Sequence, residues 1–240
     1  MFARIAKSAL VLAAGTIGGQ LFVVAASPLL TRLYSPGEFG VLGIYAATLY
    51  LVSSISALRY EVAIPLVKED VDARCLAAIS ICFILCSALA SGLGVILLGQ
   101  VLPKAVAGTF IWALPAGVAA LGLYNVALYR RLRSSDHALI AKTRVLQAIS
   151  GAAVQLGLGT ASLGAAGLIC GQVLGVSAGL SRLKDMSLLR TFKGLTRESV
   201  VAQLKSHRNF PKYDAPAAII SIANTHAPTI VIAILFSPAS

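Results

Sequence analysis

Negative charge is scarce in this sequence: nine acidic residues in 240 stand against twenty Lys and Arg. The acids are scattered, and Glu69, Asp70 and Asp72 form only a short loop cluster. Paired carboxylates of the kind that acid–base catalysis uses are therefore missing. The three histidines, His137, His207 and His226, lie far apart and have no ligand spacing. The four cysteines are Cys75, Cys82, Cys86 and Cys170, and none forms a CxxC pair. Cys82 and Cys86 share a helix face, and all four read as small apolar packing residues. The sequence thus predicts no structural disulfide, no metal site and no cofactor. A membrane enzyme such as a glycan polymerase or glycosyltransferase is disfavoured on the same grounds.

Charge of either sign is also low, at 12% against roughly 25% in soluble domains. What fills the chain is apolar: 58% hydrophobic residues and a mean hydropathy of +0.85. A span needs roughly 20 mainly apolar residues. Seven runs qualify, near Ala9–Leu30, Phe39–Leu58 (with room to extend to Val67), Ala73–Leu98, Phe110–Tyr129, Val145–Leu163, Ala165–Leu180 and Ala215–Phe236. The first is too long for a signal-peptide core, so it reads as an uncleaved helix.

The net charge of +11 does not point to nucleic acid, because the cations sit between apolar runs. With the N-terminus inside, the inner side holds seventeen of the twenty cations. They are Arg4 and Lys7, then Lys68 and Arg74, then five from Arg130 to Arg144, and eight from Arg182 to Lys212. Only Arg32 and Lys104 fall outside, with Arg59 near the second span. This asymmetry predicts a cytoplasmic N-terminus. Arg130-Arg131-Leu132-Arg133 reads as an anchor at the anionic inner leaflet, or as a dock for a lipid phosphate. The stretch from Arg182 to Lys212 carries Leu183, Met186, Leu188, Leu189, Phe192 and Leu195 among its cations, a pattern that suits a helix lying on the membrane surface.

The fold expected is therefore all-α, a polytopic transmembrane bundle of about seven spans. Its parts are an N-terminal six-helix lobe (1–181), a cytoplasmic amphipathic linker (182–212) and the first helix of an incomplete second lobe (213–240). Between the first two spans, Ser35 is placed to cap the next helix, with Pro36 at its first position and Glu38 at its third. Gly167, Gly171, Gly175 and Gly179 recur every four residues on the sixth span, and Gly15 and Gly19 repeat the motif on the first. Small residues at this spacing let helix backbones approach closely in lipid. Pro28, Pro65, Pro115, Pro216 and Pro228 are expected to kink spans.

Polar residues inside spans are Gln20, Asn125, Gln147, Gln155, Gln172, Asn224 and His226. Lipid offers them no partner, so they are expected to face other helices or a wet cavity. Arg59 and Glu61 stand at the inner end of the second span. Arg59 reads either as a boundary arginine snorkelling to headgroups or as a cation facing a cytoplasm-open cavity. At two positions apart the pair does not meet on a helix, so Glu61 needs a partner on another element, or a proton.

Leu30-Thr31-Arg32-Leu33-Tyr34-Ser35-Pro36-Gly37-Glu38-Phe39-Gly40 resembles the first hairpin of the polysaccharide biosynthesis (Wzx-type) oligosaccharide flippases. Leu58-Arg59-Tyr60-Glu61-Val62-Ala63-Ile64-Pro65 with Lys68-Glu69-Asp70 resembles their second-helix end, and Phe210-Pro211-Lys212-Tyr213 their mid-chain linker. The resemblance implies the multidrug/oligosaccharidyl-lipid/polysaccharide exporter superfamily, whose members carry two helical lobes around a central cavity. It implies movement of an undecaprenyl-pyrophosphate-linked oligosaccharide across the bacterial inner membrane by alternating access, for O-antigen, capsule or exopolysaccharide synthesis. Its implied partners are that lipid-linked oligosaccharide, membrane lipids and other polysaccharide-assembly membrane proteins. From polarity and depth, Arg59 and Arg32 are the cation candidates for the pyrophosphate, and Gln20, Asn125, Gln155 and Gln172 line the cavity, with Glu61 beside them. Two readings stand alongside: a truncated, non-transporting remnant of such a flippase, and a drug/cation antiporter of the same superfamily. The antiporter requires acids inside the bundle, where the sequence offers only Glu61.

Overall fold

The structure is a computed structural model that describes residues 2–98, 104–183, 192 and 195–235, with the side chains of 2–9, 98, 104–107 and 226–235 left aside. Among the described residues every regular element is helical. In chain order these are α1 (Phe2–Leu33), α2 (Pro36–Ile55), a one-turn α3 (Tyr60–Ala63), α4 (Asp70–Leu98), α5 (Lys104–Arg133), α6 (His137–Thr160), α7 (Ala165–Leu183), α8 (Arg197–Ser206) and α9 (Ala215–Leu235). A π-helical turn, Phe210–Asp214, leads directly into α9. Among the described residues five helices are long and apolar enough to cross a membrane: α1, α2, α4, α5 and α7.

The exterior carries the hydrophobic residues that a soluble protein would hide. Leu10, Leu21 and Val24 on α1 and Leu85, Leu89, Leu93 and Leu97 on α4 are all exposed, Leu89 to 77%. Such faces are stable only against lipid or another apolar surface. Cys82 and Cys86 lie on the exposed part of α4, whereas Cys75 is fully buried.

The hairpin between α1 and α2 forms as its residues dictate. The Glu38 backbone N–H donates to Ser35 Oγ at 3.4 Å, and the Ser35 backbone N–H donates to Glu38 Oε2 at 2.6 Å, a reciprocal capping box with Pro36 opening the helix. The two arms then part. α1 packs along α6, while α2 packs against α5, α7 and α9. α6 and α7 form the closest pair, and α5 joins α7 to α4.

Glycine sets the closeness of the α6–α7 seam. A Cβ on Gly175 would lie 2.9 Å from the Gln147 carbonyl oxygen and 3.0 Å from the Gly151 Cα. One on Gly171 would lie 2.8 Å from the Gly151 carbonyl oxygen and collide with the Gln155 side chain. Gly15 and Gly19 do the same for α1 against α6: a Gly15 Cβ would sit 2.6 Å from the Ala141 Cα, and a Gly19 Cβ 3.3 Å from the Arg144 carbonyl oxygen. In lipid such backbone contact replaces hydrophobic burial as the source of association.

The second helix is shorter than the sequence predicts. It ends at Ile55, not at Leu58 or Val67. Ser54 and Ser56 donate their hydroxyls to the Leu51 and Ser53 carbonyls, and Leu58 and Arg59 then take left-handed φ of 50° and 64°. A right-handed helix cannot run through two such residues. Pro65 consequently lies in a turn after α3 and kinks no span. Pro28 and Pro115 are inside α1 and α5.

α4 begins three residues earlier than expected, because Asp70 and Asp72 occupy its first turn, where the helix dipole favours negative charge. Of the predicted surface segment over 182–212, residues 184–191, 193 and 194 lie outside the described residues. The part that is described does more than lie on a surface: Leu195, Val200 and Leu204 pack against the buried cluster of Ile64, Leu76 and Ile84.

Candidate functional site

A cavity of about 530 Å³ lies between α1, α2, α6 and α7. It exists because α1 follows α6 and not its hairpin partner, and because glycine keeps the floor thin at Gly19, Gly151, Gly171 and Gly175. Four glutamines line it: Gln20 from α1, Gln147 and Gln155 from α6, and Gln172 from α7. Tyr50 joins them from α2, and the Gln172 amide donates to its hydroxyl at 3.2 Å. Gln155 donates to the Leu168 carbonyl at 3.1 Å, which fixes its side chain across the seam. Its backbone carbonyl accepts from the Tyr34 hydroxyl at 2.6 Å, and the Tyr34 ring fits against Gly159 and Gly167.

Among the described residues one cation lines the cavity, Arg144. It stands seven residues into α6, about 10 Å from that helix's start, and Gln155 lies roughly 16 Å further on at about 1.5 Å per residue. Arg144 and Gln20 are exposed, so the cavity is open at these side chains. The arrangement offers many neutral donors and acceptors and one guanidinium. That is the chemistry of a site for a polyhydroxylated ligand carrying limited negative charge.

Of the polar residues singled out by sequence, Gln20, Gln147, Gln155 and Gln172 meet here. Asn125 does not line this cavity; it is half-buried on α5. Arg32 is exposed in the last turn of α1, at the hairpin. Asn224 is exposed on α9, and the side chain of His226 is outside the described set. Sequence reasoning placed Arg144 among the inner-loop cations and so missed it as a cavity residue. A signal was present: Arg144, Gln147, Gly151 and Gln155 follow a 3-4-4 spacing, one face of one helix.

Arg59 and Glu61 form a separate, charged site. The reading of a second helix that runs on through Arg59 is corrected. Arg59 follows the break, and its Nε donates to Asp214 Oδ2 at 2.8 Å, tying that break to the π-helical turn before α9. Glu61 is 3% exposed, and no donor among the described residues reaches its Oε2. Burial pushes its carboxyl up to about 7, with its own backbone N–H and then Arg59 opposing the rise and Asp214 adding to it. Of the alternatives the sequence left for Glu61, the proton is the one the geometry favours.

Arg133 is a clamp. It donates to the carbonyls of Val67 and Lys68 and to Asp70 Oδ1 at 2.8 Å, closing the end of α5 onto the start of α4.

No protein-family model matches this chain, and neither a curated protein nor a solved structure does.

Proposed function

We propose that the chain is a lobe of a membrane transporter that moves a lipid-linked oligosaccharide, of the undecaprenyl-pyrophosphate type, across a bacterial inner membrane. In this reading about seven helices span the bilayer, α6 and α9 included, and the N-terminus is cytoplasmic. One observation carries it: the cavity of four glutamines, one tyrosine and one arginine inside a bundle whose outer faces are apolar. Sugars demand many neutral hydrogen bonds, and a pyrophosphate demands at least one cation. Such a headgroup does not cross roughly 30 Å of hydrocarbon unaided. The gap between α1 and α2, the arms of one hairpin, gives a lipid tail room to remain in the bilayer while the headgroup is inside.

Gln20 and Arg144 are the residues to test, because neither holds the bundle together through a described side-chain bond. With the chain reconstituted in vesicles, transfer of an undecaprenyl-pyrophosphate oligosaccharide between leaflets is measured. Arg144→Gln is expected to slow it about tenfold or more, as losing a charge-assisted hydrogen bond does. Gln20→Leu is expected to have a smaller effect, and both variants should remain in the membrane at normal level. Unchanged transfer in both would exclude the cavity as the path.

A further inference from the structure

A second cavity, of about 590 Å³, is enclosed by the start of α4, the end of α5 and the end of α7. It shares no residue with the amide-lined one. Four arginines wall it: Arg74 from α4, and Arg130, Arg131 and Arg133 from α5. Asp70 is the one acid in the wall among the described residues, and Arg133 already engages it. Arg131 is held only loosely, 3.9 Å from Asp136. For Arg74 no ion pair is found among the described residues. Alanine and leucine make up the back of the cavity, at Ala73, Ala127 and Leu183.

Several guanidinium groups around one cavity repel each other, and an anion between them removes that repulsion. The planar fork of arginine matches the paired oxygens of a phosphate. Leu66 and Val71, on the segment that carries Asp70, are 68% and 50% exposed, so apolar surface lies close to the basic wall. Cations beside exposed apolar side chains suit a ligand with a phosphate at one end and acyl chains at the other.

We infer that this cavity is a phosphate site filled by the headgroup of an anionic phospholipid. It reads a single negative phosphodiester through Arg74 and Arg131, with Arg130 in the same wall and Arg133 holding the frame. A zwitterionic headgroup is disfavoured, because its own cation meets the arginines.

The probe is phosphatidylglycerol against phosphatidylcholine, with the purified chain in mixed nanodiscs and retained lipid counted by native mass spectrometry. The wild type is expected to retain phosphatidylglycerol preferentially; equal retention of both lipids overturns the proposal without any variant. Arg74→Gln with Arg131→Gln is expected to weaken retention roughly thirtyfold, the loss of two cations at about 1 kcal/mol each. Arg74→Lys with Arg131→Lys keeps the charge and should keep most of the preference. Lys142→Gln, an exposed cation on α6 outside the cavity, should change nothing. Retention by the folded double glutamine variant equal to wild type removes the site. Displacement of the bound lipid by millimolar glycerol 3-phosphate shows that a soluble phosphate ester is the ligand and overturns the lipid assignment.

Discussion

The amide-lined cavity and the break at 56–67 treat polar groups inside an apolar bundle in opposite ways. In the cavity the polar groups are almost all neutral, and glycine keeps space beside them. At the break the groups are charged: Arg59 is paired with Asp214, and Glu61 is buried, as are its chain neighbours Tyr60, Ala63 and Ile64. Neutral amides are cheap enough to leave open to a ligand, whereas a charge at this depth must be paired or must take a proton. Polarity within an apolar run therefore does not by itself mark a ligand site; the space beside the group does.

The largest effect tests the packing that creates this space. Gly171→Leu drives a side chain into the Gly151 carbonyl and the Gln155 side chain. It is expected to cost about 3 kcal/mol or more, at the upper end of overpacking, seen as loss of folded chain from the membrane. Gly40→Ala, where nothing lies within 4 Å of the new Cβ, is its control and should change stability by less than about 1 kcal/mol. Equal tolerance of both would mean that the seam does not set the cavity.

The next effect tests the break. Glu61 has a folded-state value of about 7 against an ordinary 4.5. Between these values the folded chain holds a proton that the unfolded chain has released, so stability falls as pH rises through this window. It is fully present below about 4.5 and lost above about 7. Glu61→Gln removes this dependence. At pH 8 it should stabilise the chain by on the order of 3 kcal/mol, and at pH 4.5 it should be close to neutral, read from unfolding in detergent at both values. Parallel pH profiles for wild type and variant would show that Glu61 does not carry the proton.

A smaller effect couples the two charges. The Arg59–Asp214 pair is 26% and 41% exposed at its two side chains, so Asp214→Asn should cost no more than about 1 kcal/mol. The same change frees Arg59 to neutralise Glu61 and removes an anion beside it. The fall of stability with pH should therefore still begin near 4.5 but end at lower pH, and be smaller, in Asp214→Asn than in wild type. A fall that ends at unchanged pH would show that Glu61 is insulated from both groups.

Local features were legible because their causes are local. Ser35, Pro36 and Glu38 specify a capped hairpin within four residues, and the capping box is found there. The four-residue glycine period on α7 marked a close contact, but not its partner, since Gly151 belongs to another helix, on which no glycine lies four residues to either side of it. The second helix was read too long because composition stays apolar through Leu58, and apolar composition does not reveal left-handed backbone at Leu58 and Arg59. All four glutamines converge on one cavity as their polarity suggested, whereas Asn125, equally polar, lies elsewhere. Arg144 was hidden by charge counting, which assigns a cation to a side of the membrane and not to a face of a helix.

The sequence by itself determined an all-helical chain, its hairpin, its apolar exterior and its glycine stripes, because each depends on residues within a few turns of one another. Tertiary structure alone decided that α1 follows α6 and leaves α2, that Arg59 meets a carboxylate 155 positions away, and that Glu61 Oε2 has no hydrogen-bond partner among the described residues. Those outcomes depend on which helix faces touch, and in a bundle held by backbone contact, touching is decided by the combined shape of two surfaces.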